Sequence, residues 1–593
     1  MNSPFPRARH IDLSLAPTAH QLAPAPGALG SDDPGQLAEA CARAEGSQAL
    51  FVEALSLPVP VLASSAPAGA KAESAALPLA LARAGEVALW RARGSDDACL
   101  DEDGNRAGGA IPLLCPSSPR GRLEVQRAVS EAATRTDAVV LGGIDRWYLE
   151  EPGKAGFCDS CERALVEALR QSYGEQVEPF APFGALRHSP LPRHERPFAG
   201  MRAATRLSEP LALVRLAALA ARDAARKSRG AEIAVLARAG ALSPLALLSA
   251  RHLDGLVIAL RSTDPHQALL PLLCARAVMG ERAAIAELPA TARPDEVRLL
   301  AALATACDAD VLLPADASAE AQAALLGHRR YAALLRERYR PTTPLSDVDV
   351  LIAPLADHLS SGTHLRASAL AVAALARAQL QCAVRLDVPA PVREGAKLLL
   401  LAGAEALPEA LAPGLRRHVE SGGDLLLLGR CERVDDEGRA LGPLFPEAKP
   451  GLERLGDGRI LWLVPAADAA DPYDAAPLEA ALQKSLRELL GRTPRTLSIS
   501  GRANLWTRCY LDPERKLDVH LVNLDLRDTG FATAQGVLLQ IAGAAAGGGR
   551  LGYWFAHDRG GRDGERIALN PSGFSVSTVL PAVGASALLS VPR

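Results

Sequence analysis

Aromatic residues are scarce in this chain of 593 residues, where Phe, Trp and Tyr together make up 4%. The net charge of −3 provides no strongly basic surface, so the composition argues against nucleic acid and against an anionic membrane as partners. No stretch approaches the roughly 18 uninterrupted apolar residues of a transmembrane helix. The first residues also lack the apolar core and the cleavage site of a signal peptide. These absences predict a cytoplasmic protein.

Paired cysteines are also rare, because only Cys158 and Cys161 of the ten cysteines lie close together in the sequence. Scattered cysteines without a signal peptide are typical of free thiols in a reducing compartment. One Cys-x-x-Cys pair lacks the second pair that a structural zinc site needs, and Cys99 and Cys115 could supply it only if the fold brings them near. A redox-active thiol at a helix start is a further alternative. We favour a plain helix start, and the sequence therefore predicts no metal and no cofactor.

Short apolar runs alternate with helical patterns along residues 1–340. This alternation predicts a (β/α)8 TIM barrel, in which parallel strands are linked by helices. The predicted strands cover residues 9–15, 49–54, 86–90, 138–142, 231–236, 253–259, 282–289 and 308–314.

Two further domains follow a linker at residues 341–344. Residues 345–492 contain short apolar strands separated by helices, which predicts a doubly wound parallel sheet. Residues 493–593 contain short alternating strands between Gly-rich turns, which predicts a small antiparallel β-sandwich.

Carboxylates cluster at the ends of two predicted barrel strands: Asp145, Glu150 and Glu151 follow the fourth strand, and Glu287 ends the seventh. Strand ends meet at the mouth of a barrel, where two carboxyl groups could act as acid and nucleophile on a glycosidic bond. The alternative is that Glu150 and Glu151 are solvated loop charges and that Glu287 caps the next turn. The accompanying candidates for contact with a saccharide are His10, Asp12, Trp90, Arg146 and Trp147.

Three sequence stretches together resemble a known group of proteins. The order "LLCPSSP", helix, "TDAVVLGGI", acidic-aromatic loop and "FCDSCERALVEAL" resembles the glycoside-hydrolase-like barrels of the alpha-L-fucosidase-like and beta-galactosidase-like group. "HVESGGDLLLLG" resembles the amidotransferase-like trimerisation domain of that group, and "LDVHLVNLD" resembles its closing sandwich. The resemblance implies a saccharide ligand at the barrel mouth and a homo-oligomer, either a trimer or a dimer.

The chain departs from this group where the chemistry is expected. Gly142 stands where the group's fourth-strand motif ends in Asp, and Ala259 stands where the sixth strand often ends in Glu. Neither replacement can transfer a proton or attack an anomeric carbon. Either Asp145 and Glu287 have taken over hydrolysis, or the protein is a catalytically inactive carbohydrate-binding or scaffold protein. The middle domain also lacks a cysteine at residues 401–406, where an amidotransferase nucleophile would stand.

Overall fold

A computed structural model describes most of the chain beyond residue 97 and three short segments before it. The described residues are 55–57, 77–79, 85–88, 98–100, 105–107, 113–136, 138–149, 156–173, 199–314, 317–338, 343–360, 362–386, 398–435, 439–464, 475–491, 495–501, 504–511, 517–542, 551–557, 564–572 and 575–591. The chain divides into two compact units, of which the first is residues 1–257, 278–283 and 434–441, and the second is the remainder. Among the described helices, none is long and apolar enough to cross a membrane.

The first described strands form an antiparallel pair, β1 (Leu55–Leu57) with β2 (Leu77–Leu79). Leu77 and Pro78 are extended in this pair. Proline restricts the residue before it to extended conformations. The first two predicted barrel strands, at residues 9–15 and 49–54, lie outside the described residues.

Parallel strands in chain order follow in both units. In the first unit, β3 (Gly85–Ala88), β4 (Ala138–Gly142) and β5 (Ala234–Ala239) pair in parallel, and β6 (Gly255–Ala259) spans the unit boundary. β7 (Ala283–Glu287), which belongs to the second unit from Ala284 onward, pairs in parallel with β8 (Asp310–Leu312). These strands confirm the six remaining strand predictions and the α/β class, while closure into an eight-stranded ring stays a prediction.

The helices between these strands begin where the sequence provides caps. In α1 (Pro119–Arg135), Ser118 Oγ accepts a hydrogen bond from Gly121 N at 3.1 Å, and Pro119 occupies the first turn. Val125 and Val129 are buried one turn apart on its inner face. The others are α2 (Arg146–Leu149), α3 (Asp159–Tyr173), α4 (Ala199–Arg229), α5 (Pro244–Ser249), α6 (Pro265–Met279), α7 (Pro294–Ala306) and α8 (Ala319–Arg338).

The middle part of the chain forms a second parallel sheet, as predicted. Its strands are β10 (Val348–Leu351), β11 (Cys382–Arg385), β12 (Leu398–Ala402), β14 (Asp424–Leu428), β17 (Gly451–Leu455) and β18 (Gly458–Leu463). Their order in the sheet is β11-β10-β12-β14-β18-β17, and only the edge strand β17 is antiparallel to its neighbour. Three short strands lie outside this sheet: β13 (Ala406–Pro408), β15 (Glu432–Val434) and β16 (Ala440–Pro443). The helices are α9 (Pro354–Leu359), α10 (Thr363–Arg377), α11 (Ala412–Glu420) and α12 (Ala475–Leu490).

Two antiparallel sheets close the chain and share one buried apolar core, as expected for a β-sandwich. The strands are β19 (Leu497–Ser500), β20 (Leu505–Leu511), β21 (Leu517–Asn523), β22 (Leu526–Arg527), β23 (Gly530–Phe531), β24 (Leu538–Ala542), β25 (Leu551–Ala556), β26 (Glu565–Ala568), β27 (Asn570–Ser572), β28 (Ser575–Val579) and β29 (Ser586–Val591). The segment predicted to be a linker adds an edge strand, β9 (Thr343–Pro344), in which Pro344 pairs with Tyr510. One sheet has the order β19-β24-β28-β27, and the other has the order β26-β25-β29-β21-β20-β9.

Candidate functional site

Two of the four predicted catalytic carboxylates lie in described parts of the chain. Asp145 follows β4 and is 1% exposed, and Glu287 is the last residue of β7 and is 4% exposed. Both residues interact with other groups. Glu150 and Glu151 lie outside the described residues. Glu287 thus ends a strand and Asp145 lies three residues beyond one, and the catalytic role of both carboxylates stays a prediction.

The structure describes two of the five residues that were predicted to contact a saccharide, Arg146 and Trp147. Arg146 is exposed at the start of α2, whereas Trp147 is 7% exposed and its indole N–H donates a hydrogen bond to Leu114 O at 2.7 Å. His10, Asp12 and Trp90 lie outside the described residues. The Trp147 ring is therefore held against the segment that precedes α1.

The two departures from the expected carboxylates fall at strand ends. Gly142 is the last residue of β4, where it pairs with Ala88 and Arg238 on the neighbouring strands. Ala259 is the last residue of β6. At both positions the strand end carries no group that could exchange a proton.

Four cysteines come together in the first unit, although they come from three separate segments. The Sγ atoms of Cys99, Cys115, Cys158 and Cys161 all lie within 4.8 Å of one another. Cys115 Sγ lies 3.3 Å from Cys158 Sγ and 3.4 Å from Cys161 Sγ. The sequence allowed a four-thiol site only if the fold brought Cys99 and Cys115 near the Cys-x-x-Cys pair, and the structure places them there.

Backbone hydrogen bonds hold these segments in place. Cys99 N donates to Leu113 O at 2.7 Å, and Ala98 and Leu114 form an antiparallel bridge that sets Cys99 beside Cys115. Leu100 O accepts hydrogen bonds from Gly156 N and Phe157 N, both at 3.0 Å, and so fixes the start of α3. Sequence spacing could not show these bridges, because the three segments are separated by helices and loops.

The cluster favours one thiolate over the others. Hydrogen bonding with Cys115 lowers the pKa of Cys158 well below its usual range. Hydrogen bonding with the same residue raises the pKa of Cys99 and of Cys161 above the ordinary thiol value. Cysteine binds a metal as the thiolate, so each sulfur that binds a cation must lose its proton.

The sulfur positions also suit a tetrahedral metal. Zinc–sulfur bonds of about 2.3 Å in a tetrahedron separate the sulfurs by about 3.8 Å. The 3.3 and 3.4 Å separations in the cluster require only a small expansion to reach that value. Four thiolates would fill the coordination shell of Zn²⁺ and leave no position for a water or a substrate, which is typical of a structural centre.

Residues 401–406, the segment that the sequence matched to an amidotransferase elbow, contain Gly403 and no cysteine. Gly403 follows β12 with φ +60°, and a Cβ there would lie 2.7 Å from Ala367 Cβ and 2.9 Å from Thr363 O. Nearby, His364 is fully buried, accepts a hydrogen bond from Ala353 N at 2.9 Å and donates one to Ala402 O at 2.5 Å. These contacts connect the ends of β10 and β12.

The sequence matches no protein-family model and no curated protein. Its fold is similar to that of alpha-L-fucosidase isoenzyme 2 from Paenibacillus thiaminolyticus, with a TM-score of 0.56, 15% identity and 84% of each chain covered. The beta-galactosidase from Bacillus circulans sp. alkalophilus gives a TM-score of 0.58 at 12% identity, covering 84% of this chain and 86% of that one. Gan42B, a GH42 beta-galactosidase, gives 0.59 at 11% identity over 86% of this chain and 87% of its own. The resemblance stated from sequence motifs is thus confirmed at the level of fold: this chain has a glycoside-hydrolase-like fold.

Proposed function

We propose that the protein binds a saccharide at the carboxyl ends of its N-terminal parallel strands and hydrolyses a glycosidic bond with an altered pair of carboxylates. The observation that carries this proposal is the burial of Asp145 and Glu287, each at or just beyond a strand end, in a fold similar to that of an alpha-L-fucosidase and of beta-galactosidases. Carboxylates are seldom fully buried unless they are paired or functional.

The roles follow from the chemistry of glycoside hydrolysis, which uses one carboxyl group as acid and another as nucleophile or base. We assign these roles to Asp145 and Glu287 as a pair, with Glu150 or Glu151 as alternatives to Asp145.

The test is a screen of 4-nitrophenyl glycosides that includes the α-L-fucoside and the β-D-galactoside. Turnover of one glycoside should fall by at least about 100-fold in kcat/KM with Glu287→Gln, because a positioned acid or base contributes about that much or more. Glu281→Gln is the matched control, since Glu281 is exposed just before β7. Turnover that is unchanged by Glu287→Gln would remove Glu287 from the mechanism.

A second candidate function is binding without catalysis. Gly142 and Ala259 have no carboxylate, and Asp145 and Glu287 are at most 4% exposed, so a sugar has little access to either group in this conformation. A scaffold or carbohydrate-binding protein would bind saccharides and turn over none of the glycosides. Saccharide binding without any turnover in the same screen would select this candidate.

We also propose that the four clustered cysteines bind one Zn²⁺ as a structural centre. The separations between their sulfurs and the absence of an open coordination position support this role. The metal would link the segment around Cys99, the start of α1 and the start of α3. This proposal replaces the plain helix start that the sequence favoured for Cys158 and Cys161.

Cytoplasmic location and self-association remain proposals as well. Nine described cysteines are free, which fits a reducing compartment. Assembly into a homo-oligomer, a trimer or a dimer, rests on the sequence resemblance of the middle domain alone. Size-exclusion chromatography with light scattering tests it, and a monomer across micromolar concentrations would refute it.

A further inference from the structure

One sulfur of the cysteine cluster lies beside a small, partly open cavity in the first unit. Cys161 is half-buried and lines this cavity together with Cys99, whereas Cys115 and Cys158 are buried. The cavity has a volume of about 40 Å³. A cavity needs only about 10–15 Å³ to hold one water molecule, so molecules of that size fit against Cys161.

The wall of the cavity suits a small polar molecule. Within the described residues, the Ser117 Oγ atom is buried without a hydrogen-bond partner, and Ser117 lines the cavity. Thr205 Oγ1 donates to Met201 O at 2.8 Å and can still accept a hydrogen bond. Gly156 leaves room beside the sulfur, because a Cβ there would lie 3.9 Å from Cys161 Sγ. A buried hydroxyl without a partner is unfavourable, and a small polar molecule in the cavity would satisfy it.

A second sulfur lies within reach of Cys161 inside the cluster. Cys115 Sγ is 3.4 Å from Cys161 Sγ. A disulfide bond is about 2.05 Å long, so the two sulfurs must approach each other by only about 1.3 Å. Cysteines that respond to oxidants combine solvent access with a neighbouring thiol that resolves the first product. Cys161 and Cys115 have this relationship.

We propose that the cluster is an oxidation site, at which hydrogen peroxide reacts with Cys161 and the product forms a disulfide with Cys115. The Cys161 thiolate attacks one peroxide oxygen, so that an S–O bond forms, the O–O bond breaks and the leaving hydroxide takes up a proton to become water. The Cys115 thiolate then attacks the oxidised sulfur, so that the S–S bond forms, the S–O bond breaks and the second hydroxide becomes water in the same way. The two sulfurs together lose two electrons, and the peroxide gains them.

The consequence for the metal rests on the proposed zinc centre. Each protein ligand of that centre is a thiolate, and the disulfide removes two of the four. The oxidised cluster therefore releases zinc, and the segment around Cys99 and the starts of α1 and α3 lose their common link. Reduction by a dithiol restores the four thiols. The oxidation itself requires neither zinc nor a saccharide.

The test treats the purified full-length protein with hydrogen peroxide. A chromogenic chelator measures the released zinc, and peptide mass spectrometry locates disulfides after the remaining thiols have been alkylated. We expect a disulfide between Cys115 and Cys161, release of the bound zinc, and recovery of both thiols and zinc content with dithiothreitol and added zinc. Cys274, which is fully buried in α6, should stay reduced because oxidation follows exposure.

A change in the cavity wall tests whether the cavity is the route of the oxidant. Thr205→Leu fills part of the cavity without altering a sulfur, and it should slow disulfide formation at least about 5-fold, because oxidation follows access to the thiol. Ser208→Leu is the matched control, since Ser208 is exposed on the same helix, and it should leave the rate unchanged.

The size of the oxidant gives the same test without a variant, should Thr205→Leu not fold. Cumene hydroperoxide is too large for the cavity. Relative to the rates of the two oxidants with N-acetylcysteine, it should oxidise the protein at least about 10-fold more slowly than hydrogen peroxide does.

Three results would overturn the proposal: thiols that all stay reduced in excess peroxide, a disulfide between other cysteines, or equal normalised rates for the two oxidants. The metal centre and the oxidation site can fail separately. A Cys115–Cys161 disulfide in protein that never held zinc would refute the metal centre and support the oxidation site. Zinc that stays bound in peroxide, with all four thiols reduced, would refute the oxidation site alone.

Discussion

Cys115 and Cys158 are 43 residues apart in the sequence, yet their Sγ atoms lie 3.3 Å apart. Cys115 lies three residues before Ser118, the cap of α1, and Cys158 directly precedes α3. Two helix starts are therefore fixed side by side, and the bridge from Cys99 to the Leu113 backbone adds a third segment. This relationship converts one Cys-x-x-Cys pair into a four-thiol cluster.

The first prediction concerns metal content. Purified protein should contain one Zn²⁺ per chain. Cys115→Ser or Cys158→Ser should reduce this stoichiometry strongly, because a tetrahedral centre that loses one of its four protein ligands loses most of its affinity for zinc. Zinc should also be released as the pH falls, since protons compete for the thiolates. Inductively coupled plasma mass spectrometry measures the zinc, and thermal unfolding with and without a chelator measures its effect on stability.

Cys274→Ala is the control for the metal prediction. Cys274 is a fully buried free thiol in α6, outside the cluster, and burial alone raises its pKa. Its replacement should leave the zinc content unchanged. Protein that neither carries nor takes up one equivalent of zinc would contradict the structural centre.

The second prediction concerns Gly403, the residue directly after β12. Gly403→Ala should lower the free energy of unfolding by about 3 kcal/mol, because the new Cβ combines left-handed backbone strain with close contacts to Ala367 and Thr363. Urea unfolding followed by circular dichroism measures the loss.

A matched glycine separates these two effects. Gly491 has φ +53°, and the nearest atom to its added Cβ is Glu488 O at 3.9 Å. Gly491→Ala should therefore lose only the backbone contribution, about 1 kcal/mol. Equal losses for the two variants would show that position 403 has room for a side chain. A nucleophile at that position would then be sterically possible.

The third prediction concerns acid stability. Burial, with a further contribution from the charge of Arg508, lowers the pKa of His520 to about 3, whereas an unfolded histidine has a pKa of about 6.5. The unfolded chain thus binds more protons between these values, and stability falls as the pH drops below about 6.5. His520 alone should contribute a loss of roughly 3 kcal/mol between pH 7 and pH 4.

The variant His520→Phe keeps a ring against Tyr510, whose ring centre lies 5.8 Å from that of His520, and removes the titration. Its stability should fall less steeply with acid than that of the unaltered protein, whatever its stability at pH 7. Urea unfolding at pH 7, 5.5 and 4 gives the comparison. Parallel pH profiles for the two proteins would show that His520 takes up its proton without unfolding.

Local patterns in the sequence were sufficient for most of the α/β fold. The strand at residues 138–142 has the bounds that its apolar run predicted. A buried parallel strand can be recognised from its local sequence, because it needs only a few consecutive apolar residues between turns. The order of a parallel region followed by antiparallel sheets could be predicted for the same reason.

Other features were decided by contacts between distant segments. The pairing of Pro344 with Tyr510 turned an expected linker into a sheet edge, and the polar contacts of Trp147 could not be seen in its sequence. Buried carboxylates such as Asp145 look like loop charges in a sequence, because burial depends on what packs over them.

The sequence by itself determined the succession of strands and helices and the absence of carboxylates at Gly142 and Ala259, because these depend on residue type and local periodicity. Only the tertiary structure decided which cysteines meet and which of them line a cavity, because backbone bridges and helix packing bring together residues that spacing keeps apart.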